Sequence, residues 1–394
     1  MKKILVTSAD RLDMILSAAS CYDIQVDVLD HRDSSKQALK TLDALNIPAT
    51  HYTYECDPEA YSVQLADRIK SGIYDLVVST SGYDDRVLAE ALIFDQHREH
   101  GVPLFGHPTP VVWICNNKSY TKAFCKTLGV NATQSFPMNT NNIPLDLSYP
   151  LVIKKESLWS GKGIEVVKSR TEHTNCSIEP PYFCEPFVDA MEVSVNAFSH
   201  NGQHYILPIT FKGKTSTDLC HPLEKLRICY IEDTPSSTAI KEASDTIISA
   251  LNGSGWYDLE FLVTKDRAML MEINCRYSGL TKLNHLSTGI NPYDITFEAA
   301  LKNVKAASTT FVSGKNIVIE VPFTEKINSY NMQQDEVTIE VHYSTTMKNS
   351  LGRVTIAAQS FEVISAYLSQ LLCPDDYKKF YADLVAYNEE LLDD

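Results

Sequence analysis

The stretch Leu259–Gly279, LEFLVTKDRAMLMEINCRYSG, decides how the rest of the chain is read. Apolar and polar residues alternate on both sides of Lys265-Asp266-Arg267, the pattern of half-buried strand rather than helix. The polar triplet has the length that closes a hairpin. With the turn centred on Asp266, residues symmetric about it face each other. Leu259, Phe261, Val263, Met269, Met271 and Ile273 then form one apolar face. On the opposite face Glu260 stands across from Glu272, and Asn274 and Arg276 follow on the same side. Directly opposed residues have Cβ atoms about 4.5–5.5 Å apart. Two carboxylates that close repel each other unless positive charge lies between them. With an amide beside them they supply hard oxygen ligands for Mg²⁺ or Mn²⁺. Arg276 can grip a phosphoryl or carboxylate oxygen. A solvated sheet face of mixed charge is the plainer reading of the same residues.

Three upstream segments add polar groups of matching chemistry. In KKESLWSGKGIEVV, Lys154 ends a strand, and Ser160-Gly161-Lys162-Gly163 can form a flap whose N–H groups and lysine approach phosphates. A simple hairpin turn accounts for the same loop. In CEPFVDAMEVSV, Glu185 and Glu192 flank a non-helical crossing. Exposed main-chain groups from Glu185 to Val188 suit an adenine edge, and a carboxylate can hold ribose hydroxyls. In NNKSYTKAFCKTLGV, Lys118 opens a helix, where the dipole favours anions rather than cations, so a bound phosphate would compensate it. Taken singly, each of these glutamates and lysines reads as surface.

The totals fit a globular protein. The chain has 394 residues, 44% of them hydrophobic, and a formal net charge of -15. Two or three domains are expected from that length. The negative charge argues against a nucleic-acid surface. Ten cysteines occur without a CxxC or Cys/His cluster, so neither zinc nor a disulfide framework is indicated. The opening apolar run is too short for a signal peptide and no stretch is long enough to span a bilayer, which predicts a cytoplasmic, membrane-free protein. Residues 1–105 alternate strand-like and helix-like runs (KILVTS, VDVLD, YDLVVSTS), which predicts a parallel sheet with crossover helices. The first turn lacks a dinucleotide fingerprint. GVPLFGHPTP reads as a boundary, and Asn201-Gly202 marks a second hairpin. After about Lys302, short alternating runs predict a small mixed α/β appendage. Gly82–Arg86, GYDDR, is either a substrate-side loop or a capped helix start.

In this order the segments resemble the ATP-grasp ligases, over about Gly106 to Asn303. LEF followed by MEINCR is the most specific part of the likeness. The resemblance implies an α/β fold in three parts: an N-terminal unit over 1–105, a two-lobed ATP-grasp domain over 106–303 with a linker near 184–190, and an appendage over 304–394. It implies Glu260, Glu272 and Asn274 as ligands of Mg²⁺ or Mn²⁺ and Arg276 at the reacting group. Lys118 and Lys154 would grip ATP phosphates, with Ser160, Gly161, Lys162 and Gly163 closing over them. Glu185, Phe187 and Val188 would meet adenine, and Glu192 ribose. One further phosphate lysine is expected; Lys212, Lys214 and Lys225 compete, with Lys212 and Lys214 preferred, while Arg227 could read a substrate carboxylate. The implied activity joins a carboxylate of an amino acid or small peptide to an amine through an acylphosphate, releasing ADP and phosphate. The partners would be small molecules, and members of the family are often homodimers. A carboxylase or purine-biosynthesis branch, or a regulator that binds nucleotide without turnover, are the other readings.

Overall fold

The computed structural model describes residues 1–31, 40, 42, 52–139, 147–155, 163–218, 220, 222–229, 235–302, 307–327, 332–334, 336–344 and 347–391. Apolar runs that are buried on both faces favour parallel strands covered by helices. The first part of the chain follows that rule. Strands Lys2–Val6, Ile24–Asp30, Tyr52–Tyr54, Leu76–Val78 and Leu104–Phe105 are all parallel, in the spatial order 52–54, 24–30, 2–6, 76–78, 104–105. The helices Leu12–Cys21, Pro58–Lys70 and Asp84–His97 connect them. The Gly/Pro-rich stretch expected only as a boundary therefore supplies the edge strand Leu104–Phe105.

A short antiparallel sheet follows, in the order Phe136–Met138, Tyr182–Pro186, Leu151–Lys154, Ile164–Val167. Helix Lys118–Thr127 precedes it, capped by the Asn117 side chain, which accepts from the Tyr120 N–H at 3.0 Å. The segment Phe187–Ala190 then leads into Met191–His200, an interior strand of a much larger sheet. In that sheet Met191–His200 lies between Gly255–Thr264 and Thr210–Lys214. At the Asn201-Gly202 turn both φ values are positive, +49° and +76°, and His200 pairs with Gln203, as the dipeptide predicts for a two-residue hairpin.

The C-terminal segment extends this sheet instead of standing apart from it. Arg227–Cys229 pairs with Ile317–Phe323, which pairs with Gly352–Ala358, and that strand with Val337–Tyr343. One apolar core runs beneath, from Val87 and Val112 through Phe261 and Ile319 to Phe380 and Leu384. Short alternating runs disclose their period but not their partners, so the sequence alone suggested an appendage.

The hairpin of Gly255–Thr264 with Arg267–Asn274 keeps the expected pairing of Glu260 with Glu272, but the turn differs. Thr264 pairs with Arg267, leaving a two-residue turn of Lys265 and Asp266, and Phe261 pairs with Leu270. One extra residue, Met271, is accommodated in a β-bulge opposite Glu260. Leu270 therefore faces the main core with Leu259, Phe261, Val263 and Ile273. Met269 and Met271, expected on that face, turn to the opposite side and pack with Leu262, Ala190 and Val188.

Candidate active site

Alternation along neighbouring strands gathers polar groups on the side of the large sheet away from its core. Glu192, Ser194 and Asn196 lie across from Leu262, Glu260 and Asp258, and Glu260 and Asp258 lie across from Glu272 and Asn274. Lys212, on the next strand, joins them: its Nζ is 2.6 Å from Glu260 Oε2, and it is almost fully buried. Asn274 Nδ2 stands 3.5 Å from Glu260 Oε1 and 3.4 Å from Glu272 Oε1, so both carboxylates converge on one amide. Burial raises the Glu260 pKa to about 7, with Lys212 opposing and Glu272 and Asp258 reinforcing the rise. Burial acts on Glu272 in the same direction, but the Lys118, Lys154 and Lys212 ammonium groups more than offset it and hold that carboxyl below its usual range. Of the cations expected to meet phosphate, Lys212 thus contacts the acidic pair and Lys118 and Lys154 act on it through their charge.

The small sheet and the helix before it supply the other wall. Lys154 Nζ lies 2.9 Å from Glu185 Oε2, and Lys122 Nζ is ion-paired with Glu185 Oε1. Burial lowers the Lys154 pKa, partly countered by Glu272. Glu185 is buried inside strand Tyr182–Pro186 and pairs in the ladder with Val152, so its main chain is not an exposed linker group as expected. The crossing itself is Phe187–Ala190. There the Phe187 N–H donates to Pro150 O at 2.9 Å, and Thr215 Oγ1 donates to Val188 O at 2.8 Å. The Val188 side chain joins Ala190, Leu262, Met269 and Met271 in a small apolar wall beside the acidic pair. Such a wall suits a flat apolar ring with polar groups at its edge.

The remaining lysines sort themselves by position. Lys214 reaches Asp189 at 3.4 Å with 44% of its side chain exposed, at the rim. Lys225 Nζ lies 2.7 Å from Glu192 Oε1. Arg227 Nη1 lies 3.2 Å from Glu320 Oε1, farther along the sheet. Gly163 is the turn residue immediately before strand Ile164–Val167, while Ser160, Gly161 and Lys162 lie outside the described residues. Lys118 is the first residue of its helix, as expected, and its charge reaches Glu272 and Lys154.

Arg276 follows the hairpin and meets the N-terminal unit. Its Nε donates to Asp84 Oδ1 at 2.6 Å, Nη1 to Tyr277 O at 3.3 Å and Nη2 to Asn274 Oδ1 at 3.5 Å. Three members of the site were missed in the sequence. Asp258, buried and bonded by Asn196 Nδ2 at 3.1 Å, repeats the alternation two residues before Glu260 and was legible there. Lys122 lies one helical turn beyond Lys118. Asp84 falls in GYDDR, where a helix does start, but nothing local connects it with Arg276.

Among the described residues no group of three or more His, Cys, Asp or Glu side chains is arranged to hold a metal ion, and no helix is long and apolar enough to cross a membrane. Two carboxylates and one amide meet the needs of Mg²⁺, which takes one or two protein carboxylates and fills its shell with water and phosphate oxygens. The carboxylates of Glu260 and Glu272 and the amide oxygen of Asn274 are donors of the type that ion takes, the Asn274 Nδ2 facing both carboxylates and its Oδ1 facing Arg276.

No protein-family model matches the chain. It is 25% identical over 225 residues to a carbamoyl-phosphate synthase of Methanobrevibacter smithii, which covers 55% of this chain and 61% of that relative. The chain therefore spans less than two thirds of that relative's length. Among solved structures, an L-amino acid ligase from Bacillus licheniformis superposes with a TM-score of 0.71 at 17% identity, over 94% of this chain and 96% of that one. A biotin carboxylase in a β,γ-ATP complex, from Campylobacter jejuni, gives 0.75 at 13% identity over 94% and 90%. With a parallel five-stranded α/β unit, a small antiparallel sheet and a large, mainly antiparallel one, this chain has the ATP-grasp fold of those two structures.

Proposed function

We propose that the protein is an ATP-dependent, ADP-forming ligase that activates a carboxylate and couples it to an amine, with amino acids or small peptides as substrates. The observation that carries this reading is the half-buried pair Glu260 and Glu272, with Lys212 ion-paired to Glu260, the charges of Lys118 and Lys154 acting on Glu272, and Asn274 and Arg276 alongside. A site that pure nucleotide binding would require has no use for a guanidinium at its far end. The likeness to an L-amino acid ligase over nearly its whole length supports amino-acid substrates.

In this reading a substrate carboxylate oxygen attacks the ATP γ-phosphorus and ADP leaves, giving an acylphosphate. The amine nitrogen then attacks the acyl carbon, phosphate leaves, and the nitrogen sheds a proton. Little covalent chemistry falls to side chains, so positioning and charge neutralisation carry the catalysis. Lys118, Lys154 and Lys212 neutralise phosphate oxygens. The wall of Val188, Leu262, Met269 and Met271 receives the adenine, and Phe187 and Glu185 flank its approach. Glu192 holds ribose, and Ser160, Gly161, Lys162 and Gly163 supply N–H groups and a lysine for the phosphates. Glu260, Glu272 and Asn274 would hold Mg²⁺ or Mn²⁺, which supplies electrostatic stabilisation of the transferring phosphoryl group. Arg276 steadies the reacting acyl and phosphoryl oxygens. Ten cysteines, none of them in a disulfide, agree with a reducing, cytoplasmic setting.

The carbamoyl-phosphate synthase likeness favours bicarbonate as the carboxylate in a second reading. One experiment separates the readings. The protein is incubated with ATP, Mg²⁺ and pooled amino acids, with and without bicarbonate, and products are sought by mass spectrometry alongside ADP release. A condensed dipeptide with matching ADP supports the ligase. ADP release that depends on bicarbonate alone supports the second reading, and nucleotide binding without ADP release on any substrate refutes both.

A further inference from the structure

Arg276 is held from outside its own domain. Its shortest contact is Nε to Asp84 Oδ1 at 2.6 Å, and both side chains are largely buried, at 17% and 18% exposure. The two weaker contacts, to Tyr277 O at 3.3 Å and Asn274 Oδ1 at 3.5 Å, come from the terminal Nη1 and Nη2. A guanidinium is a rigid planar fork. A carboxylate on its Nε side therefore fixes the plane while leaving the terminal edge directed toward Asn274 and the acidic pair. Asp84 is itself firmly seated. It is the first residue of helix Asp84–His97, whose first turn is closed by the Val87 N–H donating to Tyr83 O at 2.9 Å. Its carbonyl accepts from Asn116 Nδ2 at 3.0 Å, tying it to helix Thr109–Asn116 under the large sheet. The loop ahead of it also touches the segment beyond Arg276: a Cβ on Gly82 would stand 3.6 Å from Tyr277 O.

We propose that Asp84 is the positioning residue for Arg276, so that the N-terminal α/β unit takes part in the chemical step by aiming the guanidinium at the reacting oxygens. The proposal rests on the role given to Arg276 above. A shift of about 1 Å in such a group lowers turnover by up to about a hundredfold. D84A is therefore expected to reduce kcat about 10- to 100-fold, while the KM for ATP and the Kd for ADP stay within about twofold. D84N, which retains an oxygen acceptor for Nε, should recover most of that loss. In an R276K background, where Nε is absent, D84A should add little, because the two residues act as one unit.

Steady-state ADP release by wild type, D84A, D84N, R276K and the double variant tests this, with thermal melts to confirm that each folds. Turnover of D84A at the wild-type rate overturns the proposal, as does a D84A loss that persists undiminished in the R276K background or that raises the KM for ATP in step. The underlying reading fails separately, and visibly, if wild type releases no ADP on any substrate or if R276K turns over as fast as wild type.

Discussion

Glu90 gives the sharpest quantitative test of the packing. It is completely buried in the N-terminal unit, where Oε2 accepts from Ser79 Oγ at 2.6 Å and Thr7 Oγ1 at 3.0 Å, and Oε1 from Tyr61 OH at 2.9 Å. Burial raises its pKa from 4.5 to about 7, although these three hydroxyls and Arg86 favour the ionised form. The folded protein therefore holds a proton that the unfolded chain releases near pH 4.5. Below that pH the two states bind the proton equally. As pH rises toward 7 the unfolded state binds fewer protons, so stability falls, and above 7 the loss is complete. At about 1.4 kcal/mol for each pKa unit, the full effect is about 3 kcal/mol, of which about 2 kcal/mol develops between about pH 5.5 and 8. Glu90→Gln removes the ionisation, and the surrounding hydroxyls can rotate to accept from its amide. Urea unfolding of wild type and Glu90→Gln at both pH values should show wild type losing about 2 kcal/mol more than the variant on going to pH 8. Parallel stability curves for the two proteins would refute the argument.

Two further expectations concern the site. Lys212→Met should lower kcat about 10²- to 10³-fold with the fold intact, whereas Lys214→Met, at the exposed rim, should stay within about threefold of wild type; equal losses in an ADP-release assay would contradict the assignment. Leu262→Ala removes a side chain that is 7% exposed and central to the apolar wall, so ADP affinity measured by titration calorimetry should weaken about tenfold or more. An unchanged affinity would move the base elsewhere.

What the sequence disclosed follows from the range of each interaction. The alternation of Leu259 to Ile273 is local, and it sufficed to put Glu260 opposite Glu272. It did not reveal the bulge, because Ala268 to Met271 is apolar throughout and a slipped register leaves no mark in such a run. Lys118 and Lys154 were legible through their positions at a helix start and a strand end. The pairing of Asp84 with Arg276 spans 192 residues and depends on how the N-terminal unit meets the large sheet, while that of Lys154 with Glu185 spans 31 and depends on strand pairing within the small sheet. Glu185 was placed in a crossing because a glutamate deep in a strand is tolerable only with cations that the local sequence does not show.

A strand with strict alternation deals its side chains to two faces in turn. The bulge at Met271 breaks that order, giving Met271 and Glu272 to the same side in succession. The greasy end of the cleft and its charged end therefore abut, with no inward-facing residue separating them. Whatever lies along this ribbon must change character equally abruptly, from flat and oily to densely anionic within one step of the backbone, and a molecule possessing only one of those halves would leave the other half of the seat bare.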